Sequence, residues 1–188
     1  MKNQILIFTS FFLISNLFAF EKETTALIEA KIITKNFAMA LKKELKKAIK
    51  TGGPIKALTV CNAKAIPITT RSAQISNANI SRISLKNRNP QNTPNLWQKK
   101  VLEDFDQRVA KGEDISKMAF YKTIETDNKK QFYFIKAVPT KGVCLMCHGQ
   151  NIAPNIQAKI TELYPNDKAI GYKKGQVRGA IVVIKNLK

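Results

Sequence analysis

Residues 144–148 read Cys-Leu-Met-Cys-His, and they use two of the chain's three cysteines together with its one histidine. Cys-x-x-Cys-His is the spacing at which c-type haem is attached. Two thiols add to the two vinyl groups of the porphyrin, and the next residue swings beneath the ring to offer its imidazole to the iron. A chain built this way must fold around a flat apolar group, with Cys144 and Cys147 as covalent anchors and His148 as an iron ligand. Three other chemistries use the same residues. A thioredoxin-like dithiol sits at the start of a helix in a βαβ unit, whereas this motif follows an expected antiparallel hairpin. Zinc coordination by the adjacent Cys147 and His148 is awkward, and a second ligand pair is missing. A Cys144–Cys147 disulfide would be strained.

The N-terminus agrees with haem attachment, which takes place outside the cytoplasm. Lys2 is followed by an apolar run from Ile5 to Ala19 and then by Glu21-Lys22-Glu23, a signal-peptide pattern with cleavage after Ala19. An uncleaved anchor is the alternative, weakened by Thr9, Ser10, Ser15 and Asn16. The expected product is an exported, periplasmic domain of residues 20–188. Lys and Arg total 32 against 13 Asp and Glu, a formal charge of +19, and only Lys2 leaves with the signal. So basic a surface favours anionic partners: an acidic redox protein, or peripheral association with an anionic membrane. Export argues against nucleic acid. A plainly solvated lysine surface is an equally serious reading.

Between Glu21 and Lys50, Ile33, Phe37, Leu41, Leu45 and Ile49 recur every fourth residue, which predicts one long amphipathic helix. Thr51-Gly52-Gly53-Pro54 should stop it and Pro54 should start a second helix. That helix carries Ile55, Leu58, Cys61 and Ala65 on one face and should end at Pro67. A strand is expected at 80–85. Beyond an Asn/Pro-rich turn, a helix should start at Pro94 under a Thr93 cap, showing Trp97, Val101, Phe105 and Val109 on one side. Two strands (118–124 and 131–138), a helix (154–163) and a closing strand (177–184) complete the reading. Helices first and strands afterwards indicate an α+β fold with an antiparallel sheet of four or five strands. The connection at 151–154 is too short to separate domains.

With His148 on one side of the iron, no second histidine is left for the other. The residues leave Cys61, Met39, Met118 or a vacant position open, since Met146 lies inside the attachment loop and cannot reach across the ring. A free thiol in an oxidising compartment needs a reason, although a small buried hydrophobe is one.

Four segments together resemble a known family of exported monohaem c-type cytochromes with a PAS-like α+β fold. They are Cys61 with Pro67 after it; Arg82-x-Ser84-Leu85-x-x-Arg88-Asn89-Pro90-x-Asn92-x-Pro94-x-x-Trp97; the Cys144 to Gly149 motif; and Tyr164-Pro165-x-Asp167-x-Ala169-x-Gly171-Tyr172-x-x-Gly175-x-x-Arg178-Gly179. The resemblance spans nearly the whole mature chain. It implies an antiparallel sheet with a long N-terminal helix and flanking helices, one covalently attached haem c, and Cys61 as second axial ligand opposite His148. Arg82, Arg88 and Arg178 lie in these segments and are the candidates for holding the anionic propionates, Arg88 foremost. Asn95 and Gln98 stand where acidic residues are expected in relatives.

Thiolate ligation favours ferric iron, so a His148/Cys61 centre implies a low potential. Two functions follow: a periplasmic electron carrier, or a redox or CO/NO sensor that releases Cys61 and acts through a separate partner. A haem enzyme would want a distal acid–base group, and none remains. The expectation is a carrier without enzymatic activity.

Overall fold

The computed structural model describes residues 6–126 and 129–187, with side chains from residue 21 onward. The expected signal at 1–19 therefore lies outside the described side chains. Among the described residues no helix is long and apolar enough to cross a membrane.

Helix α1 (Leu6–Ser76) is broken once, where Gly52 (φ −175°, ψ 23°) and Gly53 (φ 66°, ψ −167°) leave helical geometry. The expected stop at 51–54 is thus a kink between two helical arms. Pro67 does not end the second arm, which runs on to Ser76. Proline here removes only the bond to the Ala63 carbonyl, and Ala63 is exposed, so water can replace the donor. Packing holds the remainder, since Ile68 and Ala73 lie against the sheet. The true end is a Schellman cap: Asn77 takes φ 45°, its N–H donates to Gln74 O, and the Ala78 N–H donates to Ala73 O.

Strands β1 (Asn79–Ile83), β2 (Ala119–Thr126), β3 (Lys129–Pro139) and β4 (Val177–Leu187) form one antiparallel sheet in the order β1-β4-β3-β2. This is the expected PAS-like α+β arrangement. Strand β1 stops two residues early because the chain turns at Ser84, whose N–H donates to Asn92 O. The hairpin is longer than expected, pairing Glu125 with Lys130 and Thr126 with Lys129; residues 127–128 lie outside the described residues. Helix α2 (Leu96–Ala110) starts later than expected. Asn95, not Thr93, is its N-cap, and Gln98 returns a bond to the Asn95 N–H in a capping box. Thr93 closes the short turn before it, donating to Pro90 O.

The central strands β3 and β4 are covered on both faces. Phe132 and Phe134 with Ile181 and Val183 meet α1 at Ala26, Ala30 and Phe37. Ile135 and Ala137 with Ala180 and Val182 meet Val101, Leu102 and Phe105 of α2. The period-two alternation of these strands therefore separates two cores, and this double cover explains the unbroken apolar run at 180–184. Past β3, a shift in register at Val138/Pro139 leads into the short helix α3 (Leu145–His148). Helix α4 (Pro154–Leu163) then packs Ile156 and Ile160 on Leu58 of the second arm of α1.

Strand β4 approaches the end of β1 at Gly179, with φ 152° and a virtual Cβ only 2.3 Å from Ile83 O. Gly179→Ala should combine left-handed strain with a backbone clash and cost about 2–4 kcal/mol, read as a thermal midpoint lower by roughly 5–12 °C. An unchanged midpoint would show that β1 and β4 can move apart freely.

Candidate haem site

Four stretches distant in sequence meet at the attachment motif. They are the second arm of α1, the loop after β1, the 142–149 segment and the 164–178 segment. The last lies along the motif like a short strand: the Gly171 N–H donates to Gly149 O (2.8 Å) and the Tyr172 N–H to His148 O (2.9 Å). It is also tied to the loop after β1, where the Lys168 N–H donates to Asn87 O.

The imidazole of His148 is fixed by this strap. Its Nδ1 lies 2.7 Å from Ala169 O, a contact that requires the Nδ1–H tautomer and leaves Nε2 with a free lone pair, as in metal-binding histidines. Burial, then the charges of Arg178 and Arg88, hold its pKa down to about 2, against the raising effect of the Ala169 bond. The ring is therefore neutral and able to ligate.

Arg88 and Asp167 organise the loop around it. The Arg88 Nε donates to Asp167 Oδ1 (3.1 Å) and Nη2 to Oδ2 (2.9 Å), with side chains only 10% and 7% exposed. The same Nη2 donates to Cys147 O (2.6 Å) and reaches Ala169 O (3.4 Å). Asp167 Oδ1 accepts the Ala169 N–H (2.8 Å). Arg88, the foremost expected propionate partner, commits its Nε and Nη2 to protein acceptors. Its visible work is to hold the motif.

The other two arginines differ. Arg178 donates from Nη1 to Ser84 Oγ (3.0 Å) and lies over the Tyr172 ring, 5.2 Å from its centroid, with Lys86 also 4.8 Å from that centroid. Arg82 is half-buried, and no described acceptor lies within hydrogen-bond reach of it. Burial lowers both guanidinium pKa values, and for Arg82 the opposing influences are Cys61 and Tyr164. Among the described residues, three guanidinium groups thus share one site with the carboxylate of Asp167. This excess of positive charge in a half-buried place fits a group that brings two carboxylates of its own.

Cys61 is half-buried on the second arm, one turn beyond Leu58, which packs with Ile156, Ile160 and Cys147. Burial pushes its thiol pKa up, and the charges of Arg82 and Arg88 oppose this. Cys147 is raised by burial too and feels both Arg88 and Cys61. Cys61 therefore sits within electrostatic range of the motif. Met118 is buried in the core between the sheet and α2, and Met39 is half-exposed on the outside of α1. Among the described residues no three His, Cys, Asp or Glu side chains gather closely enough to bind a bare metal ion. No disulfide joins any two of Cys61, Cys144 and Cys147.

Residues 20–185 match the family described as Tll0287-like. The chain belongs to that family. It is also similar to the crystal structure of the cyanobacterial heme-protein Tll0287, with 24% sequence identity and a TM-score of 0.61 over 89% of this chain and 96% of that one. At that identity the likeness establishes the fold. No significant match is found among curated proteins. In this Tll0287-like chain, the residues that sequence reading left without a role are Asp167, Ala169, Ser84 and Tyr172. All four lie in the segments that carried the resemblance, but nothing in their spacing says that Asp167 pairs with an arginine 79 positions away.

Removing one member of this buried pair leaves an uncompensated charge. Asp167→Asn should cost about 3–5 kcal/mol, whereas the double variant Arg88→Met/Asp167→Leu should cost much less, on the order of 1–2 kcal/mol. Denaturant unfolding of the two checks this. Equal losses would show that the pair's bonds to Cys147 and Ala169, not its charge balance, dominate.

Proposed function

We propose that the chain is a periplasmic monohaem c-type cytochrome working as a low-potential electron carrier. The observation that carries this reading is the Cys144–His148 motif folded against three guanidinium groups with one carboxylate, its imidazole neutral and its Nε2 free. The heme-protein to which the chain is structurally similar supports the haem-binding part of this reading. Cys144 and Cys147 would hold haem c by thioethers, and His148 Nε2 and the Cys61 sulfur would hold its iron. Haem bound there supplies one-electron exchange.

The chain's own residues do the rest. The Ala169 carbonyl orients the imidazole and makes it a better donor by accepting its Nδ1–H. Arg82 and Arg178 offer donors to propionates, while Arg88 stays with Asp167. The guanidinium charges favour the thiolate form of Cys61 against burial. A thiolate ligand stabilises ferric iron and lowers the potential, and the positive surroundings raise it in part. The basic surface suits an acidic redox partner. Electron exchange needs no acid–base group at the iron, so we assign no enzymatic activity.

Two measurements test this. Protein exported from a host with haem-attachment machinery and then denatured should have the mass of the chain plus one haem, and an apoprotein mass would exclude covalent attachment. Cys61→Ser should keep the haem bound, lose the ferric thiolate-to-iron charge-transfer band, raise the midpoint potential and bind CO more readily when reduced. An unchanged ferric spectrum would show that another group holds the sixth position. Fast CO uptake by the unmodified reduced protein would favour the sensor reading.

A further inference from the structure

The first arm of α1 buries Ala26, Ala30, Phe37 and Ala48 against the fold. At 100° per residue the opposite side of the helix is a single stripe about 120° wide. Its first half carries Ile28, Ile32 and Met39, which are 53%, 53% and 50% exposed. Its second half carries Lys42, Lys43, Lys46 and Lys50, and Lys31 and Lys35 lie among the apolar three, all exposed. From Ile28 to Lys50 no carboxylate falls on the stripe. Glu29 points aside and pairs with Lys185, and Glu44 is half-buried on another face. Among the described residues none of these lysines takes part in an ion pair.

Scattered exposed apolar residues are ordinary, and so are solvated lysines. Three large apolar side chains in line with six unpaired lysines make a different surface, a basic amphipathic stripe on the outside of a folded domain. A second copy of the helix is a poor partner, because without carboxylates the stripe would set lysine against lysine. An acidic protein would satisfy the lysines alone. An anionic bilayer takes both: Ile28, Ile32 and Met39 enter the boundary between headgroups and acyl chains, while the lysine stems extend so that their ammonium groups stay at the phosphates.

We propose that the outer face of the first arm of α1, from Ile28 to Lys50, seats the protein on an anionic membrane surface. This does not rest on the haem reading. The test is co-sedimentation of the full chain with vesicles of equal parts phosphatidylglycerol and phosphatidylcholine, and with vesicles of phosphatidylcholine alone. Binding should be selective for the anionic vesicles and released by high salt. Lys35→Gln/Lys42→Gln/Lys43→Gln/Lys46→Gln should weaken it on the order of a hundredfold or more, from roughly fivefold per lysine. Ile28→Ser/Ile32→Ser/Met39→Ser should weaken it on the order of tenfold. All the substituted residues are exposed, so both variants should keep the parent's thermal midpoint. Equal binding to the two vesicle types, or retention at high salt, would overturn the proposal and assign membrane contact to the apolar N-terminal segment. An apolar variant that binds like the parent would also overturn it, because the lysines alone would then account for vesicle binding and Ile28, Ile32 and Met39 would not seat the helix.

Discussion

The buried pairing of Arg88 with Asp167 holds the site together. Taking both charges out of water is costly, and the pair is tolerated because its remaining hydrogen-bonding capacity is used on the backbone. Arg88 grips the Cys147 carbonyl and Asp167 accepts the Ala169 amide. Ala169 in turn presents its carbonyl to His148. One ion pair therefore fixes the attachment loop, the strap that runs beside it and the orientation of the imidazole. The sheet positions the participants: the turn after β1 delivers Arg88, β3 leads into the motif, and the strap runs into β4.

Electrostatics ranks the arginines in a way that position in the chain does not. Arg88 is neutralised locally, Arg178 is spread over Tyr172 and Ser84, and Arg82 has no described acceptor. The unbalanced charge of the site is thus carried by the last two. Because guanidinium groups stay protonated, the imbalance persists across the physiological pH range and favours anionic occupants.

Much of this architecture was legible beforehand, because the signals were local. The motif, the four-residue periodicity of α1 and the Pro154 start of α4 are all read within a few residues of where they act. The kink at Gly52–Gly53 was legible for the same reason. What escaped was decided by contacts between distant residues or by water. Pro67 breaks a helix in isolation, but the exposed position of Ala63 and the packing of Ile68 and Ala73 carry α1 past it. Asn95 and Gln98 read as missing charges, while their real partners are each other's backbone. The Arg88 role needed Asp167, and no periodicity links the two. Cys61 was legible as an unexplained thiol, and its placement near Cys147 depends on how the second arm leaves the kink.

That kink separates two tasks of one helix. In an unbroken helix, inserting or deleting a single residue in the first arm would turn everything beyond it by about 100° and swing Cys61 away from the motif. The non-helical backbone at Gly52 and Gly53 breaks this rotational linkage, and the second arm takes its phase from Leu58 against Ile156 and Ile160. The orientation of Cys61 is therefore set by the packing of the second arm itself and not by the helical phase of the first.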